Sequence, residues 1–443
     1  MKSFVVLKRA RVALSLFFFV STVCVLVDLW NAIPPALVRV VLFLQFTPSL
    51  VNFVALGGIA ACGFAIILLL TLLFGRMYCS TICPLGTLQD IVSYLSRRFG
   101  REKYHKPLPS HAGIHPAFLA ITLLPLAAGT MFAVTLLDPF SNFGRLSASL
   151  ILPLIAAANN FLSSLLEVVG NYAVYPVDLK GALAASILFS LAFLVLLVWM
   201  AFRHGRLYCN SICPVGSLLR IVAGFSLYKI AIEAERCKSC QLCQRVCKSG
   251  CIDRQKKIVD FSRCVDCFNC LDACPSGGLQ FVPSFGRKKS TTVDVDGRRR
   301  SFLLGSSLMF IGGSAASDTA KVVKPQHAST IPGKKIHEVT PPGSSSLRHF
   351  AETCTACHVC ISSCPPQVLQ PALFEYGFGG VLQPRMDFSV SYCNFECTRC
   401  TEVCPSGALK RLTVDEKKLS QAGTVVFVKQ NCVVYTENTD CGA

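Results

Sequence analysis

The sequence predicts an α-helical polytopic membrane domain with an internal duplication, followed by two small cysteine-rich α+β domains. Only 15% of the 443 residues are charged, against about 25% in soluble proteins, and 52% are apolar. One motif occurs at residues 75–86 and again at residues 205–216. Most of the 25 cysteines fall in closely spaced runs after residue 236, which sets those parts of the chain apart from the apolar part.

Four apolar runs within residues 1–230 are long enough for membrane-spanning helices, which need about 20 residues. These predicted spans are Val12–Trp30, Val54–Phe74, Ala117–Leu137 and Gly181–Ala201. Basic residues between the second and third spans predict a cytoplasmic N-terminus in a bacterial inner membrane. The same preference accounts for the net charge of +18, and because no aromatic residues are interleaved with the basic ones, we expect no nucleic-acid binding.

Ser147–Leu166, between the third and fourth spans, is apolar enough to suggest a fifth span. Pro153, Asn159 and Asn160 interrupt it, so we expect a re-entrant or interfacial hairpin that matches Pro34–Pro48 in the first half. Irregular backbone at that depth must be buried in protein or line a wet cavity. Such a pocket would suit a quinone head group, and a purely structural hairpin is the alternative.

Both copies of the duplicated motif read Gly-Arg-x-Tyr-Cys-x-x-Ile-Cys-Pro-x-Gly. An i, i+4 spacing on a helix places both sulfurs on one face, and the proline suits the first position of a new helix. The positive N-terminus of that helix would point at the thiolates, which favours an anionic ligand set. The cysteines that form either one joint metal or redox site or two separate dithiols are Cys79, Cys83, Cys209 and Cys213. Cys24 and Cys62 lie in apolar runs and are expected to be buried small hydrophobic residues.

Residues 231–285 contain two runs of Cys-x2-Cys-x2-Cys-x3-Cys, which is the bacterial two-cluster ferredoxin pattern. In that pattern, three cysteines of one run and the last cysteine of the other hold each 4Fe-4S cube. The first cluster is predicted on Cys237, Cys240, Cys243 and Cys274. The second cluster is predicted on Cys264, Cys267, Cys270 and Cys247. Zinc would use two pairs of thiolates rather than two quartets. Lys248 stands where the pattern usually has proline, and Cys251 is surplus.

Residues 286–348 connect the two cysteine-rich domains. Arg298–Leu303 reads Arg-Arg-Arg-Ser-Phe-Leu and leads into a mildly apolar run that ends at Ala316, which is typical of a twin-arginine export signal. A basic loop before an ordinary short helix is the alternative. Ser317–Arg348 is rich in Pro, Ser, Gly and Lys and is predicted to be a linker.

Residues 349–443 repeat the two-cluster pattern. A third cluster is predicted on Cys354, Cys357, Cys360 and Cys404. A fourth cluster is predicted on Cys393, Cys397, Cys400 and Cys364. The segment Cys354–His358 also matches a c-type haem attachment motif, but haem there would leave Cys360 and Cys364 without a role. Cys432 and Cys441 resemble the start of another run, so we expect a longer chain with a fifth cluster.

Residues 1–285, with four predicted spans, two Cys-x3-Cys-Pro motifs and a two-cluster ferredoxin, resemble the NapH/NosR/MauN membrane ferredoxins. The part from Arg298 onward is similar to the exported polyferredoxins NapG and MauM. The resemblance implies electron transfer between the quinol pool and an extracytoplasmic redox partner protein, with the first ferredoxin domain cytoplasmic and the second periplasmic. A diffusing quinol would bridge the two sides, because the predicted spans contain no histidine to bind haem.

Two other functions stay open at this point. Similar membrane ferredoxins are associated with assembly of copper sites, in which the paired motif cysteines would reduce or bind copper. Redox sensing, with the paired thiols forming disulfides, is the other alternative. The motifs identify neither a catalytic residue nor the direction of electron transfer, so quinol dehydrogenase activity is an open question.

Overall fold

The computed structural model describes residues 2–57, 62–99, 114–181, 184–233, 235–253, 257–283, 339–420 and 429–440. The described residues up to 420 form one compact unit, and residues 429–440 belong to a second. The predicted twin-arginine segment, the linker as far as residue 338, and Cys441 lie outside the described residues.

The first half of the membrane domain contains the helices α1 Lys2–Leu26, α2 Pro35–Phe43, α3 Phe46–Leu56, α4 Gly63–Phe74, α5 Tyr78–Thr81 and α6 Pro84–Phe99. Helices α2 and α3 form one bent pair with an angle of 102°. Pro35 begins α2 because its fixed φ suits a first helical position. Gly75, with a φ of +90°, ends α4 and turns the chain into the duplicated motif.

The second half contains a longer series of helices: α7 Ile114–Ala127, α8 Phe132–Leu137, α9 Pro139–Leu146, α10 Leu152–Val168, α11 Ala184–His204, α12 Leu207–Ser211 and α13 Pro214–Ala223. A π-helical turn, Ser147–Ile151, joins α9 to α10. The Asp138 carboxylate caps α9 by accepting a 2.7 Å hydrogen bond from the backbone N–H of Ser141. Helices α12 and α13 carry the second copy of the motif, as α5 and α6 carry the first.

Three helices are long and apolar enough to cross a membrane: Val5–Leu26, Pro139–Val168 and Ala184–His204. The bent pair α2–α3 would bring the number to four among the described residues. The predicted spans near α1 and α11 thus correspond to single helices. Val54–Phe74 does not, because α3 ends at Leu56 and α4 begins only at Gly63. Ala117–Leu137 is likewise interrupted between α7 and α8, where Gly129 has a φ of +76°.

The hairpin expected in Ser147–Leu166 is wrong, because Pro139–Val168 is one continuous helix. Pro153 follows the π-helical turn directly, so its missing backbone N–H falls where the regular hydrogen-bond pattern of the helix is already interrupted. Asn159 and Asn160 donate hydrogen bonds of 2.8 Å and 2.9 Å to backbone carbonyls in the loop after α10. Their amides are therefore satisfied without breaking the helix.

The first cysteine-rich domain consists of short strands and helices: β1 Tyr228–Ile232, α14 Leu242–Arg245, β2 Ile252–Asp253, β3 Ile258–Val259, α15 Asn269–Asp272 and β4 Leu279–Pro283. Strand β1 pairs antiparallel with β4, and β2 pairs antiparallel with β3. Each short helix contains the third cysteine of a run. Because the first and last strands pair, the two cysteine runs are held together over a small core that includes Phe261 and Phe268.

The second cysteine-rich domain has elements of similar length: α16 Leu347–Thr353, α17 Val359–Ser362, β5 Leu369–Pro371, a 3-10 turn at Phe378–Gly380, β6 Pro384–Met386, α18 Arg399–Val403 and α19 Val414–Leu419. Strands β5 and β6 pair antiparallel, and Phe350 and Met386 belong to the core beside them. Ser346 caps α16 by accepting a 3.0 Å hydrogen bond from the N–H of His349. In the second compact unit, a 3-10 turn at Lys429–Asn431 precedes α20, Val433–Thr436.

The two cysteine-rich domains contact opposite ends of α1. Near its start, Nζ of Lys8 lies 2.6 Å from the carboxylate of Asp272 in the first domain. Just beyond its end, the carboxylate of Asp28 lies 3.6 Å from a guanidinium nitrogen of Arg399 in the second domain. Helix α1 therefore runs from one cysteine-rich domain to the other.

Helix α11 makes the same connection. Before it begins, the backbone N–H of Lys180 donates a 2.6 Å hydrogen bond to the side chain of Gln367 in the second cysteine-rich domain. After it ends, the N–H of Arg206 donates a 3.1 Å hydrogen bond to the carbonyl of Lys248 in the first. Two helices of membrane-spanning length thus join the same two domains.

Candidate iron-sulfur and thiol sites

The duplicated motif places its cysteines at equivalent positions in the two halves. Cys79 lies in α5 and Cys209 in α12, while Cys83 and Cys213 directly precede the prolines that begin α6 and α13. All four residues are only 3–4% exposed. The prediction that Pro84 begins a new helix is confirmed, since α6 starts there, and α13 starts at the equivalent Pro214 of the second copy.

Two buried arginines join the two copies of the motif. Nη2 of Arg76 donates a 2.9 Å hydrogen bond to the carbonyl oxygen of Cys209. Arg206, the equivalent residue of the second copy, donates in return to the carbonyl oxygen of Cys79. This reciprocal exchange is the contact that a pseudo-two-fold arrangement of the halves produces, and it places the two motif copies side by side.

The last glycine of each motif copy lies against the first cysteine of the same copy. A Cβ atom at Gly86 would collide with the carbonyl oxygen of Cys79, and one at Gly216 would collide with that of Cys209. These are the carbonyls that accept the arginine hydrogen bonds. The absence of a side chain therefore lets the N-termini of α6 and α13 approach the cysteines closely.

The four motif thiols lie close enough to influence one another. Burial, followed by the neighbouring sulfurs of Cys209 and Cys79, raises the pKa of the Cys83 thiol well above its usual value. Burial, followed by the same two sulfurs, also raises the pKa of Cys213. The structure thus brings together the two cysteine pairs, which come from sequence positions more than a hundred residues apart.

A buried carboxylate, Asp90 of α6, contacts three cations beside the motif. Its oxygens lie 2.8 Å from Nε of Arg206, 3.1 Å from Nζ of Lys248 and 3.1 Å from Nη1 of Arg11. Burial alone would raise the pKa of Asp90, but Arg206 and Lys248 lower it far below its usual value. Our sequence analysis did not identify Asp90. The signal available was that it is the only acidic residue in the amphipathic helix that begins at the motif.

The first cysteine-rich domain docks directly on the motif. Lys248, which stands where the ferredoxin pattern usually has proline, reaches Asp90 with its ammonium group. Nη1 of Arg76 donates a 3.3 Å hydrogen bond to the carbonyl oxygen of Ser262 in the same domain. The departure from the pattern at Lys248 thus serves a contact between the cysteine-rich domain and the membrane domain.

The motif tyrosines contact the bends in the membrane helices. The hydroxyl of Tyr78 accepts a 3.3 Å hydrogen bond from the N–H of Phe46, at the bend between α2 and α3. The hydroxyl of Tyr208 donates a 2.7 Å hydrogen bond to the carbonyl of Leu137, at the junction of α8 and α9. In each half, the equivalent motif tyrosine therefore holds an irregular part of the membrane domain in place.

In the first cysteine-rich domain, the pattern cysteines line two cavities. The first cavity is lined by Cys237, Cys240, Cys243 and Cys274. The second cavity is lined by Cys247, Cys264, Cys267 and Cys270. Each cavity thus has three cysteines from one run and the last cysteine of the other. The surplus Cys251 also lines the second cavity, with its sulfur 3.5 Å from that of Cys247.

In the second cysteine-rich domain, the cysteines group in the same crossed way. After burial, the neighbouring sulfurs that most raise the pKa of Cys360 belong to Cys357, Cys354 and Cys404. After burial, those that most raise the pKa of Cys400 belong to Cys364, Cys393 and Cys397. Cys404 therefore lies with the first run of this domain, and Cys364 lies with the second.

Three of the four cysteine runs share a backbone conformation around their second cysteine. In each, the residues before and after that cysteine have φ values between 49° and 66°: Ser239 and Gln241, Asp266 and Phe268, Ala356 and His358. Residues other than glycine adopt such values rarely and at a cost of about 1–3 kcal/mol, and they cluster at functional sites. The run that begins at Cys393 has the longer Cys-x3-Cys spacing and lacks this pair of conformations.

The remaining candidate residues lie apart from these groups. His358, of the haem-like motif, is buried with Nε2 2.8 Å from the carbonyl oxygen of Leu382, and burial lowers the pKa of its imidazole to about 3. Cys24 is exposed on α1 and Cys62 is partly buried, so the expectation that both are buried is wrong for Cys24. An apolar side chain can face lipid, which is as apolar as a protein core. Cys432 is partly buried in the second compact unit.

Comparison with known protein families identifies the class of site. A 4Fe-4S binding domain family matches residues 56–102 and 186–232, each of which contains one copy of the duplicated motif. A 4Fe-4S dicluster domain family matches residues 353–412. The chain therefore contains 4Fe-4S ferredoxin-type domains, together with apolar helices that fit a membrane protein.

The chain is homologous to ferredoxin-type proteins of Escherichia coli. It is 28% identical to the ferredoxin-type protein NapH over 49% of this chain and 65% of NapH. It is 31% identical to the ferredoxin-type protein NapG over 31% of this chain and 57% of NapG. It is also 28% identical to the putative electron transport protein YccM over 47% of this chain and 51% of YccM. The chain thus spans between 51% and 65% of the length of these relatives, and no solved structure matches it.

Proposed function

We propose that this protein is a membrane-bound iron-sulfur electron carrier that connects the two sides of the membrane. The membrane domain is residues 1–230, and the two ferredoxin-type domains are residues 231–285 and 349–443. Their cysteine quartets would hold four 4Fe-4S clusters in the crossed grouping of the bacterial two-cluster pattern. Its relatives NapH and NapG are named as ferredoxin-type proteins, and YccM as a putative electron transport protein.

The surroundings of the quartets suit buried clusters. The cavity that contains Cys247 is otherwise lined largely by apolar side chains, among them Ile230, Val265 and Phe268. Bound clusters would supply one-electron transfer, with potentials set by burial and by hydrogen bonds to sulfur. The role of the protein chain is to hold the thiolates in position and to exclude water from them.

One observation carries the proposal: the ferredoxin-type domains lie at opposite ends of α1. Lys8 contacts the first domain and Asp28 contacts the second. At a helical rise of 1.5 Å per residue, the distance from Lys8 to Asp28 is about 30 Å. The hydrocarbon core of a membrane is also about 30 Å thick. A protein with this arrangement is built to have one ferredoxin-type domain at each face.

The sequence supports an assignment of the two faces. Basic residues near the N-terminus and after α6 favour a cytoplasmic position for the first ferredoxin-type domain. The second would then be extracytoplasmic, which agrees with the twin-arginine pattern ahead of it. In this proposal the quinol pool donates the electrons, and an extracytoplasmic redox protein accepts them.

The test uses the purified full-length chain in proteoliposomes. We expect a reduced quinol to generate 4Fe-4S signals in the EPR spectrum, and membrane-impermeant ferricyanide on the outside to reoxidise them. A double variant, Cys354→Ala with Cys393→Ala, should keep the EPR signals of the first ferredoxin-type domain. In vesicles that enclose the first domain, external ferricyanide should no longer reoxidise those signals. If dithionite reduces the clusters but no quinol does, the quinol-linked function is wrong. Copper release or copper uptake by such a chain would then favour the metal-assembly alternative.

A further inference from the structure

We propose that Cys79, Cys83, Cys209 and Cys213 jointly hold one additional 4Fe-4S cluster between the two halves of the membrane domain. The matching 4Fe-4S binding family covers the two motif copies separately, at residues 56–102 and 186–232. The new element is that one cluster takes two ligands from each copy. The inference rests on the proposed function, because this cluster would stand between the two ferredoxin-type domains.

The geometry of the motif supports a shared site. The reciprocal hydrogen bonds of Arg76 to Cys209 and of Arg206 to Cys79 fix the two copies against each other. All four cysteines are buried at their junction, and Gln89, of the helix that follows the first copy, contacts the sulfur of Cys209 in the second copy. Within the described residues, no three His, Cys, Asp or Glu side chains are arranged to hold a single metal ion. The ligands of a 4Fe-4S cube bind separate iron atoms, so they do not need to converge on one point.

Charge at the junction also points to an anion that the chain itself does not provide. Two buried carboxylates face four cations here: Asp90 contacts Arg206, Lys248 and Arg11, and Asp266 lies beside Arg76, which is 1% exposed. Nε of Arg76 and Nη2 of Arg206 are buried without a hydrogen-bond partner among the described residues. Buried donors and buried positive charge both need a compensating group. A cluster with four thiolate ligands is an anion and would compensate them.

Hydrogen-bond donors already surround the sulfurs. The backbone N–H of Gly216 donates a 3.3 Å hydrogen bond to Sγ of Cys213, at the N-terminus of α13. The side-chain amide of Gln89 donates a 3.3 Å hydrogen bond to Sγ of Cys209. Donors of this kind, and the positive ends of helices, stabilise thiolate ligands and tune the potential of a cluster. Buried cysteines that served only as packing residues would have no need of them.

The position of the site suits a link between the ferredoxin-type domains. One continuous buried core contains Cys79, Cys83 and Cys213 together with Cys267 of the first domain and Cys357 of the second. On the side of the second domain, a Cβ atom at Gly144 of α9 would collide with the carbonyl of Cys357, so the contact there is close. The joint cluster would give electrons a protein-bound path through the membrane domain, where our sequence analysis expected a diffusing quinol.

The test is the iron and acid-labile sulfide content of purified full-length variants. We expect the unmodified protein to hold about twenty iron atoms, four per cube, rather than about sixteen. Cys83→Ala and Cys213→Ala should each remove the iron of one cluster, and the double variant should remove no more than either single variant. The matched control, Cys24→Ala with Cys62→Ala, should keep all the iron. EPR signals of the ferredoxin-type domains should persist in every variant, which separates this test from a failure of the proposed function.

Three results would overturn the joint cluster. The first is an unmodified protein that holds about sixteen iron atoms instead of about twenty. The second is a double variant that loses twice as much iron as each single variant, which would indicate two separate sites. The third is mass-spectrometric detection of a disulfide between Cys79 and Cys83, or between Cys209 and Cys213, in the iron-loaded protein. The first and third results need only the unmodified chain, so poor folding of a variant does not protect the proposal.

Discussion

Nε of Arg206 lies 2.8 Å from Oδ1 of Asp90, although the two residues are 116 positions apart in the chain. This ion pair joins the second copy of the motif to the helix that follows the first copy. Both side chains are almost fully buried, and Lys248 of the first ferredoxin-type domain contacts the same carboxylate oxygen. One carboxylate thus connects both halves of the membrane domain to the first ferredoxin-type domain.

Asp90→Asn should strongly destabilise the protein. The substitution leaves the buried guanidinium of Arg206 and the ammonium of Lys248 without their counter-charge, and breaking a buried ion pair costs about 3–5 kcal/mol. The measurement is the thermal unfolding temperature in detergent. The control is Asp272→Asn, which removes the partly exposed pair with Lys8 and should cost about 1 kcal/mol or less. Equal shifts for the two variants would contradict the prediction.

The effect of Asp90→Asn should also depend on pH in a defined direction. Because the folded state lowers the pKa of Asp90, its contribution to stability is complete above the ordinary carboxyl pKa of about 4. That contribution is lost only as the pH falls through the lowered folded value. The difference in stability between wild type and variant should therefore be constant from about pH 5 to pH 8 and shrink only in stronger acid.

The grouping of the ferredoxin cysteines is the part of the site that local spacing can predict. Short turns determine which cysteines share a cavity, and the exchange that places Cys274 with the run from Cys237 follows from the known two-cluster pattern. Asp90 and its contact with Lys248 could not be predicted in this way. Their pairing depends on how three distant segments pack, and no periodicity in the sequence records that packing.

The membrane helices show the same limit. Counting apolar residues identified α1 and α11, in which a long apolar run lies within a single helix. It failed for Ala117–Leu137, where Gly129 breaks the helix within an uncharged run. For Ser147–Leu166 the apolar count did suggest a span, and the asparagine side chains that argued against it are satisfied by the following loop. Whether a polar residue interrupts a helix depends on its tertiary partners, which composition does not contain.

Removing both Cys247 and Cys251 should abolish one cluster of the first ferredoxin-type domain. Cys247 shares a cavity with the second run, and Cys251 lies 3.5 Å from it and could replace it as a ligand. We therefore expect Cys247→Ala to lose part of the iron of that cluster, and the double variant with Cys251→Ala to lose all of it. Cys251→Ala alone should keep the full iron content. Unchanged iron and EPR spectra in the double variant would show that Cys247 does not serve this cluster.

Gly216→Ala should disrupt the motif although it adds only one methyl group. The new Cβ would collide with the backbone carbonyl of Cys209, which cannot move without disturbing its hydrogen bond with Arg76. Overpacking of this kind costs about 1–3 kcal/mol or more, so we expect a lower unfolding temperature. The matched control is Gly379→Ala, whose Cβ would find its nearest neighbour 4.0 Å away. Similar unfolding temperatures for the two variants would mean that the motif tolerates a side chain at this position.

The second ferredoxin-type domain should be accessible from outside the cell membrane, while the first should not. Iron-sulfur clusters are inserted in the cytoplasm, so an extracytoplasmic domain that contains them must cross the membrane already folded. The twin-arginine route exports folded domains. Protease added to spheroplasts should digest residues 349–420 and spare residues 231–283. Substituting Lys for both Arg299 and Arg300, which lie outside the described residues, should make the second domain resistant.

The contact between Arg399 and Asp28 gives that experiment a structural readout. Asp28 lies at the end of α1 remote from the first ferredoxin-type domain, so a second domain trapped inside could not reach it. The trapped variant should then unfold at the same temperature whether or not Arg399→Ala is added, while in the exported protein Arg399→Ala should lower the unfolding temperature. If the second domain of the unmodified protein resists the protease while a periplasmic control protein is digested, both ferredoxin-type domains lie inside, and α1 cannot cross the membrane between them.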